Sequence, residues 1–281
     1  NIEFIVSDDC STDETYLQLR KLIEQVKDKR IVLVKNDVNI GITAHINKVF
    51  SIANGELIVL CAGDDISDNT RVEELVQSWT VHGKAHDAVY SNYRTVDLEG
   101  KKLKDVQAVV KKYEDLEGYA RYGCVVPGAA AAYTKRLVEC FGNIPEWGGS
   151  CEDAVLAFRA SLMGGILHVP KPLLDYRVGS SIWVDNLSLN SEKLQLKYKT
   201  LAQNMLITSQ VALSDTKSQE FKYLHKYILQ RIDEMRSLDD LYLKKRFAWL
   251  NALRKSRFRL FIIHFIAAKV PSILSLLKRV K

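Results

Sequence analysis

Three acidic clusters carry residue types that could do chemistry together. They are Asp8-Asp9-Cys10-Ser11-Thr12-Asp13, Ala62-Gly63-Asp64-Asp65 and Cys151-Glu152-Asp153. The first two each end a short apolar run, Phe4-Ile5-Val6 and Leu57-Ile58-Val59-Leu60. Runs of that kind read as buried parallel strands. In open α/β sheets the ligand sits just beyond the carboxyl ends of the strands. Carboxylates gathered there suit a divalent cation that carries phosphates.

Each cluster also has a plainer reading. Asp8, Asp9, Ser11 and Asp13 could simply cap a helix. Two adjacent carboxylates exceed what capping needs, and one could accept a hydrogen bond from a pyrimidine imide or a ribose hydroxyl. Gly63-Asp64-Asp65 is common turn chemistry. Yet two like charges side by side are costly unless a cation sits between them, which points to a metal on Asp64 and Asp65 bridging a diphosphate. Glu152 and Asp153 suit the positive end of a helix, and either could take a proton from an acceptor hydroxyl. Tyr176-Arg177 closes an apolar strand, and Arg177 could meet a diphosphate or form a structural ion pair.

The elements that must position these residues alternate. Strands are expected over 3–7, 31–34, 57–60 and 88–90. Helices are expected from a Ser11–Glu14 capping box through Val26, from Thr43 to Asn54 with Gly55 as the left-handed stop, and over Thr70–Val81. Leu17, Leu19, Leu22, Ile23 and Val26 suit one buried helix face. Residues 98–123 read as a polar loop or flap, 125–133 as extended chain, and a helix starts near Glu152. Residues 166–176 return as strand or loop. This alternation predicts a doubly wound, mostly parallel sheet. From about residue 190 the pattern is helical, which divides the chain into residues 1–185 and a helical region 186–281.

Composition narrows the class. A hydrophobic fraction of 47% over 281 residues is that of a globular protein. The five cysteines are dispersed with no CxxC pair. That argues for reduced thiols in a cytosolic setting and against a disulfide framework or zinc site. No signal peptide is visible. The net charge of +6 conceals an asymmetry: no Asp or Glu follows Asp240, and the 11 basic groups beyond it leave 29 basic against 34 acidic elsewhere. In this tail, apolar runs such as Leu260–Ile263 are broken by Arg259, His264 and Lys269, too often for a membrane span. A basic amphipathic helix lying on an anionic membrane surface fits better, with packing on protein as the alternative. Nucleic acid is not expected, because no recognition motif accompanies the charge.

Taken in order, the clusters resemble the family 2 glycosyltransferases of the GT-A fold. Asn1–Asp13 is similar to the family's second strand and its nucleotide-binding aspartates, so Asp8, Asp9 and Ser11 are expected to bind nucleotide. Ala62-Gly63-Asp64-Asp65-Ile66 is similar to its DxD-type motif, with Ala62 in place of the first aspartate. The resemblance implies Mn2+ or Mg2+ on Asp65 and Asp64, with Asp64 and Arg177 also on the nucleotide side. Glu152-Asp153, followed by Phe158-Arg159-Ala160, is similar to the ED motif, which implies Asp153 as catalytic base with Glu152 beside it. The family normally begins one strand earlier, so the chain reads as truncated at its first strand.

A Rossmann-like GT-A sheet flanked by helices, with a helical C-terminal extension, is therefore expected. Its implied work is the inverting transfer of a sugar from a nucleotide diphosphate, a UDP-sugar before others, to a hydroxyl. The acceptor would be a saccharide or lipid-linked saccharide of bacterial surface polysaccharide such as O-antigen or capsule, handled at the cytoplasmic face of the membrane. The rivals are a non-catalytic nucleotide-sugar-binding scaffold and a sugar nucleotidyltransferase. The second would want a glycine-rich, basic N-terminal loop, and none is visible.

Overall fold

A computed structural model describes residues 1–108, 115–123, 126–146, 152–178, 191–243, 248–256, 261, 264 and 265. Strand β1 (Phe4–Asp8), helix α1 (Thr15–Val26), strand β2 (Ile31–Lys35), helix α2 (Ile42–Ile52) and strand β3 (Leu57–Val59) open the chain. There follow β4 (Ile66–Ser67), α3 (Arg71–Val81), β5 (Ala88–Val96), β6 (Lys102–Val106) and α4 (Leu116–Tyr122). A 3-10 turn over Gly128–Ala130 leads into β7 (Ala131–Thr134), α5 (Lys135–Phe141), α6 (Glu152–Leu162) and β8 (Ile166–Arg177). Helix α7 (Ser191–Asp215), a 3-10 helix over Gln219–Leu224, and helices α8 (His225–Tyr242) and α9 (Ala248–Lys255) follow.

The strands form two hydrogen-bonded groups. β1 and β2 pair in parallel, while the larger sheet runs β3-β7-β5-β8-β4 with β6 on β5. The larger sheet is mixed rather than mostly parallel: β5 and β8 are parallel and the other pairs antiparallel, with β6 returning on β5 as a hairpin. Glu3 ties the two groups at their lower ends: its carboxylate accepts from the Asn54 and Gly55 amides at 2.6 and 3.1 Å. The starts of β1 and β3 therefore lie side by side.

Side chains alternate across the sheet as a pleat requires. Ala88, Tyr90, Ala131 and Tyr133 face one core with Phe50, Leu156 and Phe158. Val89 and Ala132 face the other with Leu75 and Trp79 of α3. Val211, Ala212, Leu224, Ile228 and Ile232 of the C-terminal helices enter the first of these cores. Buried Arg159 of α6 also pairs with Asp215 of α7 at 3.0 Å.

Several local expectations are corrected. The capping box does not form. Ser11 turns back to Asp8 instead, and α1 starts four residues later at Thr15 without a side-chain cap. No α1 residue is buried, and Leu17, Leu22 and Val26 are more than half exposed. Only Tyr16, Leu19 and Ile23 are half-buried, because a two-stranded pair offers α1 a narrow platform. α2 ends at Ile52 through Ala53 in extended geometry, and Gly55 does not take the left-handed position. β5 is nine residues long rather than three, and the expected flap contains β6 and α4. Residues 109–114 of that stretch lie outside the described residues.

In the tail, Phe261 and His264 are buried, and Phe261 packs with Ala202, Met235, Leu238, Leu241 and Ala252. Among the described residues no helix is long and apolar enough to cross a membrane. Residues 257–260, 262–263 and 266–281, which hold most of the tail's charge, lie outside the described residues. Of the cysteines, Cys10, Cys61 and Cys140 are free thiols.

Candidate active site

Strand pairing and loop contacts bring the second and third clusters to one end of the larger sheet. Val59 pairs with Ala132 and Tyr90 with Ala131, so the end of β3 and the first residues of β5 meet the start of β7. β8 runs parallel to β5, and the two end together beyond the reach of β7, with Val96 beside Arg177. Asp8 closes β1. Asp153, in the first turn of α6, reaches this end through the Gly128–Ala130 turn. A methyl group on Gly128 would lie 3.3 Å from the Asp153 Cβ.

In the first cluster, Asp8 is buried. It accepts from the Ser11 amide at 3.1 Å and, more tightly, from the Ser11 hydroxyl. The turn forces Cys10 to φ 60°, in the left-handed region. Asp9 accepts from Asn36 Nδ2 (2.7 Å), Ile40 N (3.0 Å) and Gly41 N (3.0 Å). Burial pushes its carboxyl up, but those bonds and the nearby His45 ring outweigh it, and the net shift is downward. Asn36 in turn meets His45 Nδ1 at 3.0 Å and Lys48 Nζ at 2.5 Å. The aspartates thus shape the loop wall from Asn36 to Gly41.

In the second cluster, Arg177 binds the acidic loop through backbone and side chain together. Its amide donates to Asp65 Oδ1 at 2.9 Å, its Nε to the Asp64 carbonyl at 2.9 Å and its Nη1 to Leu98 O at 2.6 Å. Burial, and then the charge of Asp64, raises the Asp65 carboxyl above its ordinary range, against the pull of Arg177 and Arg71. Asp65 Oδ2 is buried with no hydrogen-bond partner. A buried carboxylate oxygen left bare is costly. A divalent cation would satisfy it, so the residues fit one. Among the described residues no group of three metal-ligating side chains forms. Two carboxylates suffice for Mg2+ or Mn2+ when phosphate oxygens and water fill the other positions.

In the third cluster, burial and then the charge of Glu152 push the Asp153 carboxyl up to about 6. Burial also raises Glu152, whose Oε2 has no partner. Asp153 Oδ1 is held by the Ala154 amide at 2.7 Å. A carboxylate of this basicity suits proton removal near neutral pH. Asn36, Lys48 and Arg71 were not singled out from sequence, since each is an ordinary residue on an apparently ordinary helix or loop; His45, whose apolar neighbours mark it for packing, instead meets Asn36 and lies 3.6 Å from Asp9.

The protein-family comparison decides the class: the model of "Glycosyl transferase family 2" matches residues 1–141. The chain belongs to this family. The transferase is 32% identical over 95 residues to an uncharacterized glycosyltransferase of Methanocaldococcus jannaschii, covering 34% of this chain and 32% of that one. It is 30% identical over 99 residues to the UDP-Glc:alpha-D-GlcNAc-diphosphoundecaprenol beta-1,3-glucosyltransferase of Escherichia coli, covering 35% and 36%. The transferase thus spans about a third of the length of these two curated relatives. Two solved structures share the fold at 17% identity. S. aureus TarS has a TM-score of 0.57 over 95% of this chain and 72% of that one. A mannosyltransferase of Pyrobaculum calidifontis, in complex with GDP-Man and Mn2+, has a TM-score of 0.56 over 99% and 78%.

Proposed function

We propose that this transferase moves a sugar, with inversion, from a nucleotide diphosphate donor to a hydroxyl acceptor. The observation that carries the reading is the bare, buried Asp65 Oδ2 at the same sheet end as the elevated Asp153 carboxyl. Asp65 and Asp64 would hold Mn2+ or Mg2+. When bound, that ion supplies positive charge to the departing diphosphate. Arg177 keeps both carboxylates aimed by holding their loop from β8. The loop walled by Asp8, Asp9 and Ser11 would receive the nucleotide. Asp153 takes the acceptor proton as the acceptor oxygen bonds to the anomeric carbon and the carbon–phosphate-oxygen bond breaks. Attack from the face opposite the leaving group inverts the centre.

A UDP-sugar is the first donor to try, in view of the Escherichia coli relative that uses UDP-Glc, and GDP-Man is the second, in view of the solved neighbour. By the same analogy the acceptor would be a saccharide or lipid-linked saccharide in bacterial surface polysaccharide synthesis. The tail would keep the transferase against the inner face of the membrane. Exposed Arg254 and Lys255 on α9 are the described part of that basic surface. Co-sedimentation with anionic liposomes should be lost on truncation near residue 240, and unchanged binding would remove the membrane role.

The test of the main reading is release of nucleoside diphosphate from UDP-Glc and GDP-Man, with wild type beside Asp153→Asn. Metal-dependent release that Asp153→Asn abolishes supports the transferase mechanism. Nucleotide binding without turnover would favour a non-catalytic scaffold. Release of pyrophosphate from nucleoside triphosphate and sugar phosphate would favour a nucleotidyltransferase.

A further inference from the structure

Among the described residues, one of the largest fully buried side chains is a cation that the mechanism above does not use. Arg71 is the first residue of α3 and has no exposed surface. Its Nη2 donates to two carbonyls at once, Leu60 O at 2.8 Å and Ala129 O at 2.7 Å. Leu60 immediately precedes the acidic loop Cys61–Asp65. Ala129 belongs to the turn whose Gly128 abuts Asp153. A backbone bond from Leu60 N to Ala131 O (3.0 Å) closes the same junction.

The placement is expensive for a simple brace. Burial drives the guanidinium pKa down, and Nε and Nη1 have no hydrogen-bond partner. Burial outweighs the attraction of nearby Asp65, and an apolar residue of similar volume often serves packing better. Its field falls on Cys61 and Asp65, the two ends of the acidic loop. The guanidinium thus touches the foundations of both halves of the site, and its charge faces the half that would carry the diphosphate.

We infer that Arg71 is a positioning residue for the transfer reaction: it sets the separation between the acidic loop and the turn that seats Asp153. This rests on the nucleotide-sugar reading above. The base and the leaving group lie on opposite sides of the anomeric carbon, so an error in their separation acts on the rate rather than on donor binding. A displacement of about 1 Å is enough to lower turnover about 100-fold.

The experiment compares wild type, Arg71→Lys, Arg71→Met and Gly128→Ala. Two quantities are read: calorimetric affinity for UDP and GDP with Mn2+, and diphosphate release from UDP-Glc and GDP-Man with water as acceptor. Arg71→Met should keep nucleotide affinity within about threefold while turnover falls about 100-fold. Arg71→Lys, which keeps the charge and can reach a carbonyl, should recover about tenfold of that loss. Affinity and turnover falling together, or turnover unchanged, would overturn the inference. If circular dichroism shows the Arg71 variants unfolded, Gly128→Ala carries the test alone, since it pushes on Asp153 and leaves the guanidinium in place. A fall in turnover at unchanged affinity, smaller than that of Arg71→Met because the 3.3 Å contact displaces Asp153 only slightly, supports the inference, and a wild-type rate overturns it. Wild type that binds no nucleotide with Mn2+ would instead refute the underlying reading, and the inference with it.

Discussion

Asp153→Asn should make the protein more stable while abolishing turnover. In the folded state burial and Glu152 push the Asp153 carboxyl from 3.8 to about 6. A carboxyl whose folded pKa is raised favours folding while protonated and loses that benefit as pH rises through the folded value. Between the unfolded value near 3.8 and the folded value near 6, the folded state binds more protons, so stability falls with rising pH. The shift corresponds to about 3 kcal/mol at 1.36 kcal/mol per unit, or about 2 kcal/mol after allowance for the group's remaining exposure. Asparagine carries no charge, so the variant escapes this loss. Urea unfolding at pH 4, 5, 6, 7 and 8 should show the variant gaining on wild type from pH 4 to 6, then holding a lead of about 2 kcal/mol. A pH-independent difference, or a variant less stable at pH 8, would refute the claim that this carboxylate is held ionised against its surroundings.

The same group should appear in the rate. Turnover should be lost as pH falls below about 6, and Glu152→Gln should move that limb downward, because the Glu152 charge is one cause of the elevation. Asn47 pairs with both the carbonyl and the amide of Ile144, at 2.8 and 2.9 Å. Asn47→Ala should therefore cost about 3 kcal/mol in chemical denaturation by leaving two buried backbone groups bare. A methyl group on Gly164 would lie 1.8 Å from the Ala85 carbonyl oxygen and 2.7 Å from Asp87 Oδ2. Gly164→Ala should cost about 3 kcal/mol or abolish soluble folding, read as the yield and melting temperature of the purified variant.

The sequence made the order of elements legible because apolar runs and turn residues announce themselves locally. Leu57–Leu60 reads as a strand and β3 takes all but its last residue, and Glu152 starts α6 as its acidic first turn suggests. What it could not convey was partnership. Ser11 had a glutamate three residues on and read as a capping box, but Asp8 lay equally close and won the hydroxyl once Cys10 turned left-handed. The apolar stripe of α1 looked buried, yet its depth depends on how much sheet lies beneath it, and β1 and β2 supply only a pair. The β5 strand was undercounted because Asn92, Arg94 and Thr95 are polar. They are carried by His168, Asp175 and the β6 ladder, contacts that lie far away in sequence. The acidic clusters were visible as chemistry. Arg71 was not, since nothing in its neighbours announces that two distant carbonyls share one of its nitrogens.

The central claim is that Asp64 and Asp65 make a nucleotide diphosphate site through a divalent cation. Calorimetric titration of UDP, GDP and TDP, each with Mn2+ and with EDTA, on wild type and Asp65→Asn tests it most directly. The account predicts that one nucleotide binds tightly to wild type with Mn2+, and that binding is lost both in EDTA and in Asp65→Asn. Binding of equal strength in EDTA, or undiminished in a folded Asp65→Asn, would contradict it.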